Sequence, residues 1–465
     1  MPRTAARTPP SRSSSPSAAR GTTTGATGIA LLGCGVIGSA VADALLQEAP
    51  LFKRRAGVSL QLRAVVERDM EKTRKAGVPD RLVTVDYDAV LKDPAIHVVI
   101  ELFGGLEPAR TFVLKALKAG KHVVTANKYL IAVHGKEIFA AAKRAGKCVM
   151  FEASTGGCIP IIAALSHSLL ANDISRVVGI VNGTCNYILT QMTQHGQTYA
   201  DALKGAQAAG YAEPDPTFDV NGTDSANKIA ILASLAFDAE VPYDAMHVTG
   251  IDNLSDLDLK FAKEFGYVCK LLAIGEKIAP SSSLETRNST PDTRLSLRVH
   301  PTFVSNQHLL ANVHGPFNAI LVDGHMTGQT VYYGRGAGGR PTTSAILSDV
   351  LEIALGTAPL LFERLPLLTK KKPAEVVPLA EVVSRNYLRV TALDVPGVMA
   401  ATANVLAKHK ISLAGITQHE SKAGQPVPIV ITTHEAKEGD IAKALAEINK
   451  LPQITAETIR IRVFA

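Results

Sequence analysis

Cysteine is scarce. The 465 residues hold five, Cys34, Cys148, Cys158, Cys185 and Cys269, and no two form a CxxC pair. An odd count in a long chain argues against a disulfide framework and leaves reduced thiols as the default. No apolar run reaches the roughly 18–20 residues that a membrane span needs, and the N-terminus lacks the apolar core of a signal peptide. The expectation is a cytoplasmic protein with no membrane partner. Acidic residues are missing from residues 1–27, where Arg3, Arg7, Arg12 and Arg20 stand among Ser, Thr, Pro, Ala and Gly. Such a stretch cannot bury enough apolar surface to order itself. It reads as a disordered basic tail or the product of an upstream start codon, with organellar import the minor alternative. Part of the net charge of +7 sits in that tail, so no nucleic-acid partner is read from the total.

What remains is ordinary globular composition, 46% hydrophobic and 20% charged, with a length that fits about two to four domains. From Gly28 strand and helix patterns alternate. Strands are expected at 28–33, 60–66, 83–85, 97–101, 122–125 and 148–151, and helices at 39–47, 108–119 and 136–145. This α/β alternation over 28–150 points to a Rossmann-type, doubly wound parallel sheet. Residues 151–330 change to longer helical stretches, 160–171 and 225–237, and then strands, 267–275 and 294–301, separated by a Ser/Thr/Pro-rich insertion at 278–293. An α+β domain is expected there. A helix over 341–356 follows, then a Pro-punctuated linker, 363–384. Residues 385–465 read strand, helix, strand, strand, helix, strand, a βαββαβ unit.

Three motifs carry chemistry. The first is Gly33-Cys34-Gly35-Val36-Ile37-Gly38, a GxGxxG between a strand and a helix. The first glycine permits the tight turn, the second lets backbone approach a pyrophosphate, and the third lets the helix pack closely. The amides that open the helix, at Val36 and Ile37, then face phosphate. At the end of the second strand stand Glu67, Arg68 and Asp69, with Lys72 and Arg74 beyond. An acidic residue there favours a free ribose 2′-hydroxyl and an Arg a 2′-phosphate. Both are present; the cluster headed by Arg68 favours NADP, with NAD the alternative. The second motif is the polar run 210–228, where Glu213, Asp215, Asp219 and Asp224 precede Lys228. Asp224 and Lys228 are i and i+4 at the start of a helix and share a face. Spacing alone reads this equally as an ordinary ion pair or as a lysine positioned for proton transfer.

Six segments together resemble the homoserine dehydrogenases over nearly the whole length. They are LLGCGVIG at 31–38, VVTANK at 123–128, FEASTGGCIPII at 151–162, GIVNGTCNYIL at 179–189, GYAEPDPTFDVNGTDSANK at 210–228 and GRGAGGRPTTSA at 334–345. The resemblance, to monofunctional members with a C-terminal ACT domain, implies NAD(P)-dependent interconversion of L-homoserine and L-aspartate 4-semialdehyde on the route to threonine, methionine and isoleucine. It implies that Lys228 is the catalytic lysine and that Glu213, Asp219 and Asp224 hold the substrate or orient that lysine. Gly210 would contact substrate through its backbone, and Lys128 would lie close to both cofactor and substrate. Gly338 would make a late cofactor contact, returning about 331–362 to the nucleotide domain. Glu152 with the carbonyls of Thr155, Gly157 and Ile159 would form a structural site for a monovalent cation, sodium in most relatives. Oxygen ligands suit such a hard cation. Cys158 departs from the small residue that many relatives carry there.

The same resemblance implies a dimerisation role for 151–330, a homodimer or homotetramer, and an ACT module at 385–465 answering to an amino acid, threonine in many relatives. A module kept only for assembly is the alternative, because fold does not fix function. Two rival readings stand beside the dehydrogenase. An acylating semialdehyde dehydrogenase needs a nucleophilic cysteine beside a base, and neither Cys158 nor Cys185 has a histidine placed by spacing. An idle amino-acid sensor would have no need of Glu213 and Lys228.

Overall fold

The computed structural model describes residues 25–252, 254–278, 293–365, 371–420 and 424–464. The basic tail up to residue 24 and most of the Ser/Thr/Pro-rich insertion lie outside the described residues. The first half of the chain forms a six-stranded parallel sheet. Its strands are Thr27–Leu32, Leu60–Val66, Val83–Thr84, Val98–Glu101, His122–Thr125 and Val149–Met150, in spatial order 3-2-1-4-5-6. Apolar runs such as Ile29–Leu32 and Val98–Ile100 are fully buried, as a sheet covered by helices on both faces requires. Strand order reverses beside the first strand, so a crevice opens at the carboxyl ends of the first and fourth strands. The helix Gly339–Leu355 comes back to this domain and packs along Val36–Gln47, where a Cβ at Gly339 would sit 3.5 Å from that of Ala40.

The helix expected from 136 begins two turns earlier, at Lys128. Asn127 caps it, accepting the Leu130 amide at 3.1 Å, a signal the apolar pattern does not carry. The helix expected over 160–171 is α-helical only at Ile161–Ala163 and widens to a π turn over Ala164–Ser168. The Ser166 hydroxyl donates to the Ile162 carbonyl at 2.6 Å, a competition with the backbone that disturbs helices.

The second half builds on a mixed sheet. Strands Gly328–Arg335, Phe317–Gly324, Ile174–Ile180, Tyr267–Lys277 and Arg294–Ser305 lie side by side and antiparallel. The C-terminal unit has the expected βαββαβ order: Val383–Leu393, Val398–Lys408, Leu413–Gln418, Pro426–Thr433, Glu438–Ile448 and Ile454–Phe464. It is not a separate body. Its last strand pairs in parallel with the preceding domain, Thr302–Val304 against Arg462–Phe464, and the sheets merge into one of 12 strands. An unpaired strand edge is a template for such addition. The stretch 363–384 is also stitched down: Lys372–Pro373 pairs with Ala239–Glu240, and Glu375–Val376 with Arg294–Leu295.

Alternation shows why the C-terminal sheet is buried on both faces. Leu388, Val390, Ile429 and Ile431 point into that unit's own core, while Tyr387 and Val430 join the core of the main body. At the junction Asp258, 1% exposed, accepts hydrogen bonds from the Tyr387 hydroxyl at 2.9 Å and from Arg389 at 2.7 and 3.0 Å. Removing one partner strands the other charge in a dry interface. Asp258→Ala is therefore expected to cost about 3–5 kcal/mol in guanidinium unfolding, and a loss near zero would show that this contact does not hold the junction.

Candidate active site

The glycine loop is built by three different constraints. Gly33 has φ +91° and donates its N–H to the Val66 carbonyl at 3.0 Å. A Cβ at Gly38 would lie 2.2 Å from the Gly33 carbonyl oxygen, so only glycine lets the helix start this close to the turn. A Cβ at Gly35 would meet nothing within 4 Å. Gly35 instead borders open space, and Val36 beside it is 81% exposed. The helix Val36–Gln47 has no side-chain cap and no acidic residue in its first turn, so its leading amides are free for an anion. These residues fit a dinucleotide pyrophosphate.

Glu67 takes another part than ribose recognition alone. Its carboxylate accepts the Cys34 amide at 2.8 Å and the Arg68 and Asp69 amides at 2.8 and 3.1 Å. Burial opposes its charge, but those amides hold the carboxyl below its ordinary value. The glycine loop is thus tied to the end of the second strand. Of the basic residues beyond, Arg74 is committed to Asp80 and Lys72 to Asp69. Arg68 is exposed and forms no ion pair among the described residues.

A cleft of about 470 Å3 opens between the two halves of the chain. It brings together Ile37, Lys128, Gly157, Gly210, Glu213, Asp219, Asp224, Lys228 and Gly338. Gly33, Gly35, Val36, Gly38 and Arg68 belong instead to the glycine loop and the end of the second strand. Glu152, Thr155 and Ile159 lie behind the cleft wall, all buried.

The floor of the cleft is an anion shared by two lysines. Asp224, 4% exposed, accepts from Lys228 Nζ through Oδ2 at 2.6 Å and faces Lys128 Nζ through Oδ1 at 3.0 Å. Burial opposes its charge, yet Lys228 and Lys128 hold the carboxyl well below the usual carboxylate range. The Asp224 carboxylate in turn raises the Lys128 ammonium above its ordinary value. Lys228 also donates to the Val181 carbonyl at 2.6 Å, so its Nζ is fixed by a strand end and a helix together.

Asn182 is the residue that sequence reasoning passed over. Its Nδ2 donates to Asp219 Oδ1 and Asp224 Oδ2, both at 2.8 Å, and its Oδ1 caps the helix Gly183–His195 through the Cys185 amide at 2.8 Å. An Asn-Gly-Thr placed after an apolar strand is a readable cap signal. Asp219, beside Asp224, is pushed up by burial and by that second carboxylate. Glu213 is exposed at the rim, and Gly210 takes φ +71° at the preceding turn. Lys128 opens its helix because Asn127 caps it; Asn127 Nδ2 also donates to the Gly105 carbonyl at 2.7 Å.

Two loops seal the back wall. Cys158 donates its N–H to the Arg335 carbonyl at 3.3 Å, and a Cβ at Gly157 would lie 2.5 Å from the Gly336 carbonyl carbon. Gly338 takes φ +123° at the head of its helix. Glu152 Oε1 and Oε2 accept the Ile162 and Ala163 amides at 2.9 and 2.7 Å, and the Ile159 carbonyl accepts the Ile161 amide at 2.8 Å. Burial pushes the Glu152 carboxyl up to about 7. Neither candidate thiol is a nucleophile with a base beside it. Cys185 is wholly buried and donates to the Asp219 carbonyl, and Cys158 donates to that of Arg335.

The descriptions that match the chain follow this geometry: a homoserine dehydrogenase NAD binding domain at residues 33–152, homoserine dehydrogenase at 160–351 and an ACT domain at 386–453. The homoserine dehydrogenase of Synechocystis is 41% identical over 448 residues, covering 94% of this chain and 99% of its own. The chain belongs to the homoserine dehydrogenase family. The homoserine dehydrogenase of Corynebacterium glutamicum is 39% identical over 94% of this chain and 96% of its own. The crystal structure of a homoserine dehydrogenase from Thiobacillus denitrificans superposes with a TM-score of 0.85 at 38% identity, covering 95% of this chain and 98% of that one. The reaction is the nicotinamide-dependent interconversion of L-homoserine and L-aspartate 4-semialdehyde, an oxidoreduction at a CH–OH group. Among the described residues no single helix is long and apolar enough to cross a membrane.

Gly35→Ala tests the open side of the glycine loop. Folding stability is expected to change by less than about 0.5 kcal/mol, while dinucleotide affinity falls about tenfold or more as the methyl group occupies the pyrophosphate approach. Cofactor fluorescence titration reads this directly; wild-type affinity would place the phosphates elsewhere.

Proposed function

We propose that Lys228 is the group that moves the substrate proton, with Asp224 and Lys128 positioning it and Glu213, Asp219 and Gly210 holding homoserine. The observation that carries this reading is the single Asp224 carboxylate bridging two lysine ammoniums on the floor of the cleft. When bound, the nicotinamide supplies hydride acceptor or donor chemistry at the substrate carbon. In reduction the Lys228 ammonium gives a proton to the aldehyde oxygen; in oxidation Lys228, having first released a proton to solvent, accepts the hydroxyl proton of homoserine as the neutral amine. Asp219 and Glu213 offer carboxylates to the substrate ammonium, and the positive-φ turn at Gly210 offers backbone. Lys128 keeps its charge through Asp224 and offers an ammonium to the carboxylate end of the zwitterionic substrate.

Gly33, Gly35, Val36, Ile37, Gly38 and Gly338 would hold the dinucleotide. Arg68, unpaired among the described residues, would take a 2′-phosphate, which favours NADP over NAD. A monovalent cation, sodium by resemblance, is proposed at Glu152, Thr155, Gly157 and Ile159 in a structural role. Its charge would offset the buried Glu152 carboxylate, which bonds no basic side chain among the described residues. The carbonyl of Ile159 and the Glu152 oxygens already accept amides, so the ion would use their remaining lone pairs. The C-terminal ACT unit is proposed to answer to threonine, the assembly to be a homodimer or homotetramer, and the location to be cytoplasmic, as its bacterial relatives favour. One absorbance assay tests the ligand claims: homoserine with NAD and with NADP, sodium exchanged for choline, and threonine added in series. A flat threonine curve would remove the effector. Sedimentation reads the assembly, and fractionation the location.

Lys228→Ala is expected to cut turnover more than about a hundredfold in both directions, the scale of a lost acid–base group, with cofactor affinity retained. Near-normal steady-state rates would remove Lys228 from the chemistry.

A further inference from the structure

A second cavity, of about 250 Å3, shares no lining residue with the cleft. It lies between the helices Lys128–Arg144 and Thr223–Ala236, the two that carry the lysines of the site. Its walls are apolar: Ile131, Phe139 and Phe151 on the nucleotide side, Ile231 and Leu235 on the substrate side. Two lysines also border it, Lys136 and Lys371. Lys371, just before the short strand Lys372–Pro373, donates from Nζ to the Ser234 hydroxyl at 2.7 Å and pairs with no carboxylate among the described residues. Burial holds its ammonium down to about 8, although Asp238 and Glu240 stand near enough to oppose the shift. Glu240, also in the wall, pairs with the exposed Lys136 at 2.9 Å.

A half-buried ammonium that bonds a hydroxyl but no carboxylate among the described residues is incompletely compensated, and an anion that brings its own apolar body supplies the missing bond. Pockets that bind small molecules share this plan, an apolar lining with a few placed polar groups. We propose that this cavity is a second ligand site, for a small apolar monocarboxylate, with the carboxylate on Lys371 and Ser234 and the apolar body between the two lysine-bearing helices. The carboxylate comes from one of two sources. An apolar α-amino acid also presents an ammonium, which Glu240 would take in place of Lys136; a simple branched carboxylic acid does not. One helix belongs to the nucleotide half and the other to the substrate half, so the occupant bridges the halves that form the cleft. It therefore acts without competing with homoserine.

Calorimetric titration of the full chain with leucine and with its des-amino analogue 4-methylpentanoate tests this. Saturable binding of either at millimolar concentration is expected. Lys371→Met should weaken it at least about tenfold, the scale of a lost charge-assisted hydrogen bond, with cofactor binding unchanged as the control for folding. Should that variant not fold, Ser234→Ala keeps the lysine and is expected to weaken binding severalfold. Tighter leucine binding that Glu240→Gln abolishes identifies an amino acid, and tighter 4-methylpentanoate binding identifies a simple carboxylate; both support the site. No heat with either ligand, or binding that neither Lys371→Met nor Ser234→Ala changes, would overturn it.

Discussion

One buried anion organises the functional half of the molecule. Asp224 is almost fully buried, and among the described residues three side-chain donors, Lys228, Lys128 and Asn182, hold it charged. Each donor comes from a different place: the helix that Asp224 itself opens, the first residue of a nucleotide-domain helix, and the end of a central strand. A carboxylate in low dielectric tolerates little displacement of its partners. The relative position of the two halves is therefore written into a contact a few ångströms across. Opening the cleft at its floor would break the Asp224–Lys128 pair, while the Asp224–Lys228 bond, internal to one helix, would remain.

The surrounding backbone is shaped to let that contact form. Gly157 and Gly336 meet so closely that a side chain on either would collide with the other loop or with Asn318. The loops 154–158 and 334–338 thus close the back of the cleft from opposite sides. Glu67 ties the glycine loop to its strand, and Asn127 sets where the Lys128 helix begins. At the far end the C-terminal unit extends the same sheet that carries Ile174–Ile180, the strand that delivers Val181 and Asn182. That unit is joined to the rest of the sheet by paired strands and by the buried Asp258 contact rather than by a loose tether.

The parallel sheet was legible because its strands are short apolar runs punctuated by glycine, and the C-terminal βαββαβ unit because its alternation is regular. Less legible were elements whose partners are remote. Nothing within Ile174–Ile180, Phe317–Gly324 and Gly328–Arg335 announces that they form one side of a sheet. Likewise, 363–384 reads as linker because its short strands take their meaning from remote edges, Ala239–Glu240 and Arg294–Leu295. In the site, Asp224 and Lys228 were visible as an i, i+4 pair, since helical spacing is local. That Lys128 completes the trio, and that Asn182 links both carboxylates, depends on how three elements converge, which spacing along the chain does not encode. The second cavity has the same origin: Lys371, within the 363–384 stretch, meets Ser234 only through the fold.

The central claim is that Asp224 makes one unit of Lys128 and Lys228. A double-mutant cycle on kcat/KM for semialdehyde reduction tests it, with Asp224→Asn, Lys128→Met and the double variant. Residues that act as a unit give losses that do not add. The account predicts a double variant scarcely worse than Asp224→Asn alone, because Lys128 has little left to offer once its anion is gone. Losses that simply add would show that Lys128 acts independently of Asp224, and would contradict the account.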